Sequence, residues 1–165
     1  MVPILIVDDS REDALLAQRV LSQCKLLNPA IILPSGDACL DYFEGIAPFA
    51  IRKLPCLVLL DMIMAPLSGI DVLRKLGPEK EGSLFVMLSG LSDLKSIHQG
   101  YQLGARTFLI KPLRAEDVMQ MLDAIPAIRV EQRAGGYELL LNHSATGRVL
   151  GVTSGPSKPI KSTSF

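Results

Sequence analysis

Short apolar runs alternate along the chain with longer segments in which apolar residues recur at helical spacing. The five runs are Ile4 to Val7, Ala30 to Leu33, Cys56 to Leu60, Leu84 to Leu88 and Thr107 to Ile110. Runs this short and this apolar are typical of strands that are covered on both faces of a sheet. Strict alternation with helices then predicts an α/β fold, in which a parallel sheet has right-handed crossovers and helices on both faces.

The segments between the runs carry helix signals. The predicted helices are Glu12 to Cys24, Ala38 to Glu44, Ile70 to Leu76, a segment with Leu94, Ile97 and Tyr101, and a last helix from about Arg114. Asp37 is the expected N-cap of the second helix, and Ser92 or Asp93 that of the fourth. Gly77 and Gly104 stand where the third and fourth helices should end.

The alternation of predicted strands and helices stops at Ala134. The chain is therefore expected to divide into a domain over residues 1–128 and a C-terminal extension over 129–165. Within the extension, Tyr137 to Leu141 and Arg148 to Val152 are expected to pair as a hairpin. Gly155 to Phe165, which contains two prolines, has the composition of a linker or a frayed end.

Composition narrows the class of protein. The 165 residues are 48% hydrophobic and 21% charged, which is typical of a folded chain. The 17 basic and 17 acidic residues balance, so we expect no direct nucleic-acid partner and no membrane partner bound by bulk charge. No apolar run approaches the roughly 18 residues of a membrane span, and the N-terminus has no basic region of a signal peptide. The three scattered cysteines predict neither a zinc site nor a disulfide framework, so a cytoplasmic location is expected.

Side chains that can carry chemistry follow four of the five predicted strands. Asp8 and Asp9 follow the first strand, Asp61 ends the third, Ser89 the fourth and Lys111 the fifth. Any one of them has an ordinary explanation as a helix cap, a turn residue or a solvated lysine. In an open parallel sheet, however, the carboxyl ends of the strands form one edge, and ligands bind beyond it.

Three carboxylates at one edge repel one another and raise each other's pKa unless a cation is present. A hard divalent ion with oxygen ligands, most plausibly Mg²⁺, satisfies such a set. The same arrangement suits phosphoryl transfer, in which positioning and charge neutralisation matter most. Asp61 could then be the nucleophile that forms an aspartyl-phosphate.

The residues at this edge resemble, in order and spacing, those of the receiver domain of response regulators, the CheY-like module of two-component signalling. The matching motifs are Ile6-Val7-Asp8-Asp9-Ser10, Leu60-Asp61-Met62-Ile63-Met64 with Gly69 eight residues after the Asp, Met87-Leu88-Ser89-Gly90, and Gly104-Ala105 leading to Lys111-Pro112. The resemblance covers residues 1 to about 128. It implies a flavodoxin-like, doubly wound sheet of five strands in the order 2-1-3-4-5.

The resemblance also implies a role for each acidic residue. Asp61 would be the phosphoacceptor for a sensor histidine kinase or a histidine phosphotransfer protein. Asp8, Asp9 and Asp61 would bind Mg²⁺ together with the backbone carbonyl of Ile63. No enzymatic activity is implied beyond Mg²⁺-dependent self-phosphorylation from small donors and slow self-dephosphorylation.

The remaining implied residues bind the phosphoryl group or respond to it. Lys111 and Ser89 would each contact a phosphoryl oxygen, and the small Gly90 would leave access for the donor. Phe108 stands at the aromatic switch position of the family. The bond between Lys111 and Pro112 would be cis.

Two departures from the family pattern concern loops beside the site. The family commonly has proline four residues after the phosphoacceptor, where this chain has Ala65 with Pro66 next, although the spacing of Gly69, which matters for the geometry of that loop, is kept. Ile63 and Leu91 are apolar at positions whose side chains flank the phosphoryl group in the family. Neither can orient a hydrolytic water, which predicts slow self-dephosphorylation.

The sequence indicates less about what the phosphorylated domain acts on than about how it is phosphorylated. Phosphorylation would reshape the surface of the fourth helix, fifth strand and fifth helix, with Tyr101, Leu103 and Arg106 as candidate contacts for a downstream effector protein, an output domain or a homodimer partner.

One alternative is a receiver fragment of a longer regulator, since Ala145 to Val152 is loosely similar to the opening hairpin of EAL-type cyclic-di-GMP phosphodiesterases. Others are a scaffold that is never phosphorylated, an aspartyl-phosphate phosphatase, and a flavodoxin-like module that binds a phosphorylated ligand. The phosphatase lacks a second acid at Ile63, and Asp8-Asp9 would repel the phosphate of such a ligand.

Overall fold

The computed structural model of the chain describes residues 1–77, 82–90 and 94–142. Its main sheet is parallel and has the strand order β2-β1-β3-β4-β5. The strands are β1 (Ile4–Val7), β2 (Ala30–Leu33), β3 (Leu57–Asp61), β4 (Leu84–Ser89) and β5 (Ala105–Ile110). The helices are α1 (Arg11–Gln23), α2 (Gly36–Glu44), α3 (Gly69–Leu76), α4 (Leu94–Gln102) and α5 (Ala115–Ala124). The predicted doubly wound fold and its strand order are confirmed.

Apolar residues form two layers, one on each face of the sheet. Successive side chains of a strand point to opposite faces, so Ile4 and Ile6 join the layer under α1 and α5, whereas Leu5 and Val7 join the layer under α2 and α3. All four residues of β1 are fully buried. Because β1 is covered on both faces, polar groups reach solvent only beyond the ends of the strand, and Asp8 and Asp9 follow its carboxyl end.

Serine side chains cap three of the helices that surround the sheet. Ser10 Oγ accepts a hydrogen bond from Asp13 N at the start of α1, and Ser68 forms a capping box with Asp71 at the start of α3. The expectation that Asp37 caps α2 is wrong, because that helix begins earlier, at Gly36, and Ser35 Oγ accepts from Ala38 N. Ser92 and Asp93, the expected caps of α4, lie outside the described residues.

A C-terminal hairpin is present, but its strands differ from the predicted pair. β6 (Ile128–Arg133) pairs antiparallel with β7 (Gly136–Leu141) through the short connection at Ala134 and Gly135. Gly135 has φ of 90°, a conformation that glycine adopts without strain. Tyr137 to Leu141 is therefore a strand as expected, but its partner precedes it; Arg148 to Val152 lie outside the described residues.

The hairpin packs against the amino-terminal end of the main sheet. Leu139 is buried and belongs to the same apolar layer as α1 and α5. The buried Asn28 side chain donates from Nδ2 to Leu139 O at 3.0 Å and to Val2 O at 2.9 Å, and its Oδ1 accepts from Leu139 N at 2.7 Å. The division of the chain at residue 128 stays a prediction.

Backbone contacts fix the hairpin to the connection between α1 and β2. Tyr137 N donates to Lys25 O, and Leu27 N donates to Tyr137 O, each at 2.8 Å. A Cβ at Gly136 would lie 2.2 Å from Lys25 O, so only glycine allows this approach. Within the described residues, no helix is both long and apolar enough to cross a bilayer.

Candidate phosphoacceptor site

The carboxyl ends of β1, β3, β4 and β5 bring the predicted site residues to one edge of the sheet. Val7 lies beside Leu60 in the register, so Asp8 follows directly next to Asp61 at the end of β3. Ser89 closes β4, and its backbone carbonyl accepts a hydrogen bond from Lys111 N at 2.7 Å. The convergence inferred from the apolar runs is therefore present.

Three carboxylates form the centre of the edge. Asp8, Asp9 and Asp61 each offer a carboxylate oxygen, and these oxygens lie within 4.8 Å of one another. Asp8 is 2% exposed and Asp61 is 6% exposed, whereas Asp9 is open to solvent. The cluster thus has a buried floor and an accessible side.

Backbone N–H groups hold these carboxylates in place. Ser10 N donates to Asp8 Oδ1 at 2.9 Å. Ile63 N donates to Asp61 Oδ1 and Ala65 N to Asp9 Oδ2, each at 3.4 Å. The loop after β3 therefore helps to orient both its own aspartate and that of the loop after β1.

Lys111 is in contact with three carboxylates at once. Its Nζ lies 2.7 Å from Asp8 Oδ2, 3.0 Å from Asp13 Oδ2 and 3.4 Å from Asp61 Oδ1. Sequence reasoning missed Asp13. The available signal was its place in the first turn of the helix that follows Asp8 and Asp9.

The charges at the site shift two pKa values in the same direction. Burial and then the neighbouring charge of Asp8 raise the pKa of the Asp61 carboxyl, against the opposing effects of Lys111 and of the Ile63 N–H. Burial works to lower the pKa of Lys111, but the hydrogen bonds that its ammonium donates to Asp8 and Asp13 and the charge of Asp61 outweigh burial, so the pKa lies above its usual range. Lys111 is consequently an ammonium at neutral pH.

One ammonium does not balance the carboxylates around it. Crowded carboxylate oxygens in a partly buried site are the donors that a hard divalent cation prefers. The charge of Asp8 adds to burial in raising the pKa of Asp61, as expected where carboxylates are crowded. The residues present therefore fit a divalent metal ion.

Two glycines shape opposite sides of the site. A Cβ at Gly69 would lie 2.3 Å from Asp61 O, so the start of α3 packs directly against the backbone of the candidate phosphoacceptor. A Cβ at Gly90 would meet no atom of the described residues within 4 Å. The bond between Lys111 and Pro112 is cis, as the resemblance implied, and the bond between Ala65 and Pro66 is cis as well.

Phe108, which is partly buried on β5, packs against α4. Its ring centroid is 5.0 Å from that of Tyr101, and a Cβ at Gly100 would come within 2.6 Å of Phe108 Cζ. Tyr101, one of the candidate effector contacts, is half-exposed, and its ring packs on that of Phe108. The ring of Phe108 thus links β5 to α4.

The two residues expected to flank the phosphoryl group differ in what the structure describes. The Ile63 side chain projects into solvent and is 72% exposed. Leu91 lies outside the described residues.

Comparison with known proteins identifies relatives over most of the chain. The family model of the response regulator receiver domain matches residues 4–123. Response regulator Rcp1 of Synechocystis is 26% identical over 130 residues, which cover 78% of this chain and 88% of Rcp1. The solved structure of the Mn²⁺-bound form of Rcp1 matches with a TM-score of 0.64 and 26% identity, over 77% of this chain and 93% of that one.

A second solved structure supports the fold alone. The bacteriophytochrome response regulator RtBRR matches with a TM-score of 0.71 and 24% identity, over 82% of this chain and 84% of that chain.

Proposed function

This chain belongs to the response regulator receiver domain family, and from that membership we propose that Asp61 accepts a phosphoryl group and makes the domain a phosphorylation-dependent switch. The observation that carries the proposal is the convergence of Asp8, Asp61 and Lys111 at one sheet edge, with a buried floor and an open side. The donors that suit this site are a sensor histidine kinase and a histidine phosphotransfer protein. We place the exchange in the cytoplasm.

The chemical step needs little covalent assistance. An oxygen of the Asp61 carboxylate attacks the phosphorus of a phosphohistidine, and the new O–P bond forms as the P–N bond breaks. The imidazole leaves with its electron pair and takes a proton from solvent. With a small acyl phosphate, the carboxylate of the donor leaves instead. Gly90, with no atom near its absent Cβ, leaves room for either donor.

Asp8, Asp9, Asp61 and the backbone carbonyl of Ile63 would hold Mg²⁺ in this site. The chemistry that Mg²⁺ supplies when bound is neutralisation of the charge on the phosphoryl oxygens. The fit of the acidic cluster supports this assignment, as does the similarity to the Mn²⁺-bound form of Rcp1.

Lys111 and Ser89 respond to phosphorylation of Asp61 and transmit it to the surface of the domain. A phosphoryl group adds about −1.5 to −2 charge and strong acceptor oxygens. Lys111 lies 3.4 Å from Asp61 and is placed to pair with one of those oxygens, while Ser89 hydrogen-bonds another. Movement of Ser89 lets the Phe108 ring turn inward, and the surface of α4, β5 and α5 changes for an effector protein, an output domain or a second copy of the chain.

Hydrolysis of the phosphoryl group is slow in this proposal. Ile63 carries no group that can orient a water molecule, and Leu91 is apolar in the sequence. The signal therefore persists until a partner removes it.

One alternative keeps the same fold without the chemistry. A receiver-like scaffold that is never phosphorylated has no need for three crowded carboxylates, whose mutual repulsion is unfavourable. The other alternative, a receiver fragment of a regulator with an EAL-type output domain, rests on Ala145 to Val152, which lie outside the described residues.

The test is the intact mass of the full chain after incubation with acetyl phosphate, with and without Mg²⁺. We expect a gain of one phosphoryl group that requires both Mg²⁺ and Asp61, so that Asp61→Asn shows none. Asp41→Asn, an exchange of the same type on the surface of α2, is the matched control and should be phosphorylated like the wild type. A gain that persists in Asp61→Asn would refute the assignment, as would no gain from acetyl phosphate or from a phosphorylated phosphotransfer protein.

A further inference from the structure

Asp13 contacts the functional lysine from outside the acidic cluster. Of the three carboxylates around Lys111 in the described part of the chain, Asp8 and Asp61 belong to the cluster that fits a divalent cation, and Asp13 does not. Resting on the function proposed above, we propose that Asp13 is a positioning residue that holds the Lys111 ammonium when a divalent cation occupies Asp8 and Asp61.

Three carboxylates surround the Lys111 ammonium at different distances. An ammonium group has three N–H donors, and Lys111 directs hydrogen bonds to Asp8 at 2.7 Å and to Asp13 at 3.0 Å while Asp61 lies 3.4 Å away. A divalent cation that binds Asp8 and Asp61 shares the negative charge of two of these three partners, so each attracts the ammonium less. It also repels the ammonium, since both carry positive charge and the site is partly buried. The contact with Asp13 is the one that the cation weakens least, because Asp13 lies outside the acidic cluster.

The position of Asp13 is well defined by its helix. Ser10 Oγ accepts a hydrogen bond from Asp13 N at 3.3 Å, and the neighbouring Ala14 and Ala17 bury the inner face of α1. The carboxylate itself is 47% exposed, so its charge is hydrated without depending on Lys111. Asp13 can therefore keep or release the ammonium at small cost.

Apolar neighbours limit where the lysine can go. Leu16, Leu88 and Leu113 line, with Asp13 and Lys111, a small depression whose wall is largely apolar. The ammonium cannot withdraw into this apolar wall without losing its hydrogen bonds. A shift toward Asp13 keeps the lysine at the mouth of the site, ready for a phosphoryl oxygen.

The proposal makes a specific prediction for metal affinity. Asp13→Asn keeps the shape of the side chain but removes its charge, so the ammonium should return to Asp8 and Asp61 and compete with the cation. We expect the Kd for Mg²⁺ to rise about fivefold, the low end of the usual range for coupling between two sites. Asp13→Glu, which restores the carboxylate, should recover most of the affinity.

The experiment is a calorimetric Mg²⁺ titration of the full chain without any phosphodonor. The proteins are wild type, Asp13→Asn, Lys111→Met and the double variant, and Glu12→Gln is the control for charge because it removes an exposed carboxylate one residue away. Glu12→Gln should change the Kd by less than about twofold, as expected for a screened surface charge. In the Lys111→Met background, Asp13→Asn should have no further effect beyond that of the control.

A second readout follows the lysine directly. The NMR signal of the Lys111 side-chain nitrogen should shift with Mg²⁺ in the wild type and shift differently in Asp13→Asn, whereas a purely structural role for Asp13 would leave the lysine response unchanged. Equal effects of Asp13→Asn and Glu12→Gln would overturn the proposal. The proposal would also be overturned if Asp13→Asn raised the Kd for Mg²⁺ equally in the Lys111→Met background. The same holds if the wild type does not bind Mg²⁺.

Failure of this inference can be distinguished from failure of the proposed function. Mg²⁺ affinity is measured without phosphodonor, whereas the mass measurement reports phosphorylation of Asp61. A protein that shows the expected Mg²⁺ coupling but gains no phosphoryl group would retain the role of Asp13 and lose the function. A protein that is phosphorylated on Asp61 but shows no effect of Asp13 on Mg²⁺ affinity would keep the proposed function and lose the role of Asp13.

Discussion

The two ends of the main sheet both place polar side chains against the apolar core, but they do so in opposite ways. At the amino end, Asn28 is 5% exposed and its amide is hydrogen-bonded to the backbone of Val2 and Leu139. At the carboxyl end, Asp61 is similarly buried, and burial together with a second carboxylate beside it, Asp8, raises its pKa. Similar burial therefore accompanies a neutral, satisfied group at one end and crowded charges at the other.

This difference explains which end is suited to chemistry. A buried amide with good partners stabilises the fold, and no further ligand would improve its surroundings. Crowded carboxylates lower stability until a cation or a reaction partner balances their charge. The amino end should therefore respond to mutation in stability, and the carboxyl end in metal binding and phosphorylation.

The largest expected effect is that of Asn28→Ala at the amino end. The exchange removes the partners of Leu139 N and Leu139 O inside the protein, and we expect the free energy of unfolding to fall by about 3 kcal/mol. Urea denaturation measures this loss. The folded variant should still accept a phosphoryl group from acetyl phosphate. A loss below about 1 kcal/mol, the typical value for one ordinary hydrogen bond, would show that the amide does not hold the hairpin.

Gly136→Ala tests the backbone contact of the hairpin in the same region. The added methyl group collides with Lys25 O, so the hairpin must retreat, and we expect a loss of about 2 kcal/mol. Gly135→Ala is the matched control, since its Cβ would meet nothing within 4 Å and only its φ of 90° is unfavourable. Its loss should be about 1 kcal/mol. Equal losses for the two variants would contradict the close approach.

Asp61→Asn should have a smaller effect on stability and the opposite sign. The folded state holds the Asp61 proton more tightly than the unfolded state, because its pKa is raised. The proton on Asp61 therefore stabilises the folded state, fully so below the ordinary pKa of an aspartate. This stabilisation is lost as the pH rises through the raised pKa of Asp61 in the folded state. Without metal, we expect Asp61→Asn to be more stable than the wild type at pH 7.

The same pair of proteins provides two checks by thermal unfolding. The advantage of Asp61→Asn should shrink as the pH falls below about 4, the ordinary range of an aspartate. Mg²⁺ should raise the Tm of the wild type more than that of the variant, because a ligand stabilises the state that binds it. A variant less stable than the wild type at pH 7 would mean that the attraction of Lys111 outweighs burial and repulsion.

The smallest expected effect is on the lifetime of the phosphorylated form. Ile63→Asn places an amide beside the phosphoryl group, where it can orient a water, and we expect a half-life about threefold shorter. This is well below the roughly 10²-fold of a positioned general base, because an amide orients the water but does not take its proton. Ile51→Asn is the control, because Ile51 is fully exposed and precedes β3 at the other end of the sheet. Loss of the phosphoryl group is followed by intact mass. An unchanged half-life for Ile63→Asn would count against a role for this position.

Much of the site could be predicted because it depends on few structural variables. Apolar runs locate the strands, and parallel pairing brings their carboxyl ends together, so Asp8, Asp61 and Lys111 meet once the alternation is recognised. The contact of Asp13 with Lys111 could not be found in this way. It depends on where α1 begins and how Ala14 and Ala17 pack, which fixes the direction of each side chain on the helix.

The hairpin shows a second limit of sequence reasoning. β6 contains three charged residues among its six, and Ile128 and Val130 are its apolar positions, so the alternation typical of a strand is weak. In the structure, the charges pair instead: Arg129 and Arg133 contact Glu131, and Arg133 also contacts Glu138 on β7. The pairs with Glu131 lie within β6, whereas the pair of Arg133 with Glu138 joins the two strands and is visible only after the register is known.

The hairpin also determines where further sequence can be attached. Asn142, the last described residue, donates its backbone N–H to Ala127 O beside the amino end of the sheet, whereas Asp61 lies at the other end of β3. The five residues of β3 separate these ends by roughly 16 Å. A fluorescent protein or an affinity tag fused after Asn142 would begin at the end of the sheet opposite the acidic pocket. Such a fusion would leave the acidic cluster accessible to phosphodonors, so that phosphorylation can be measured in the fusion protein.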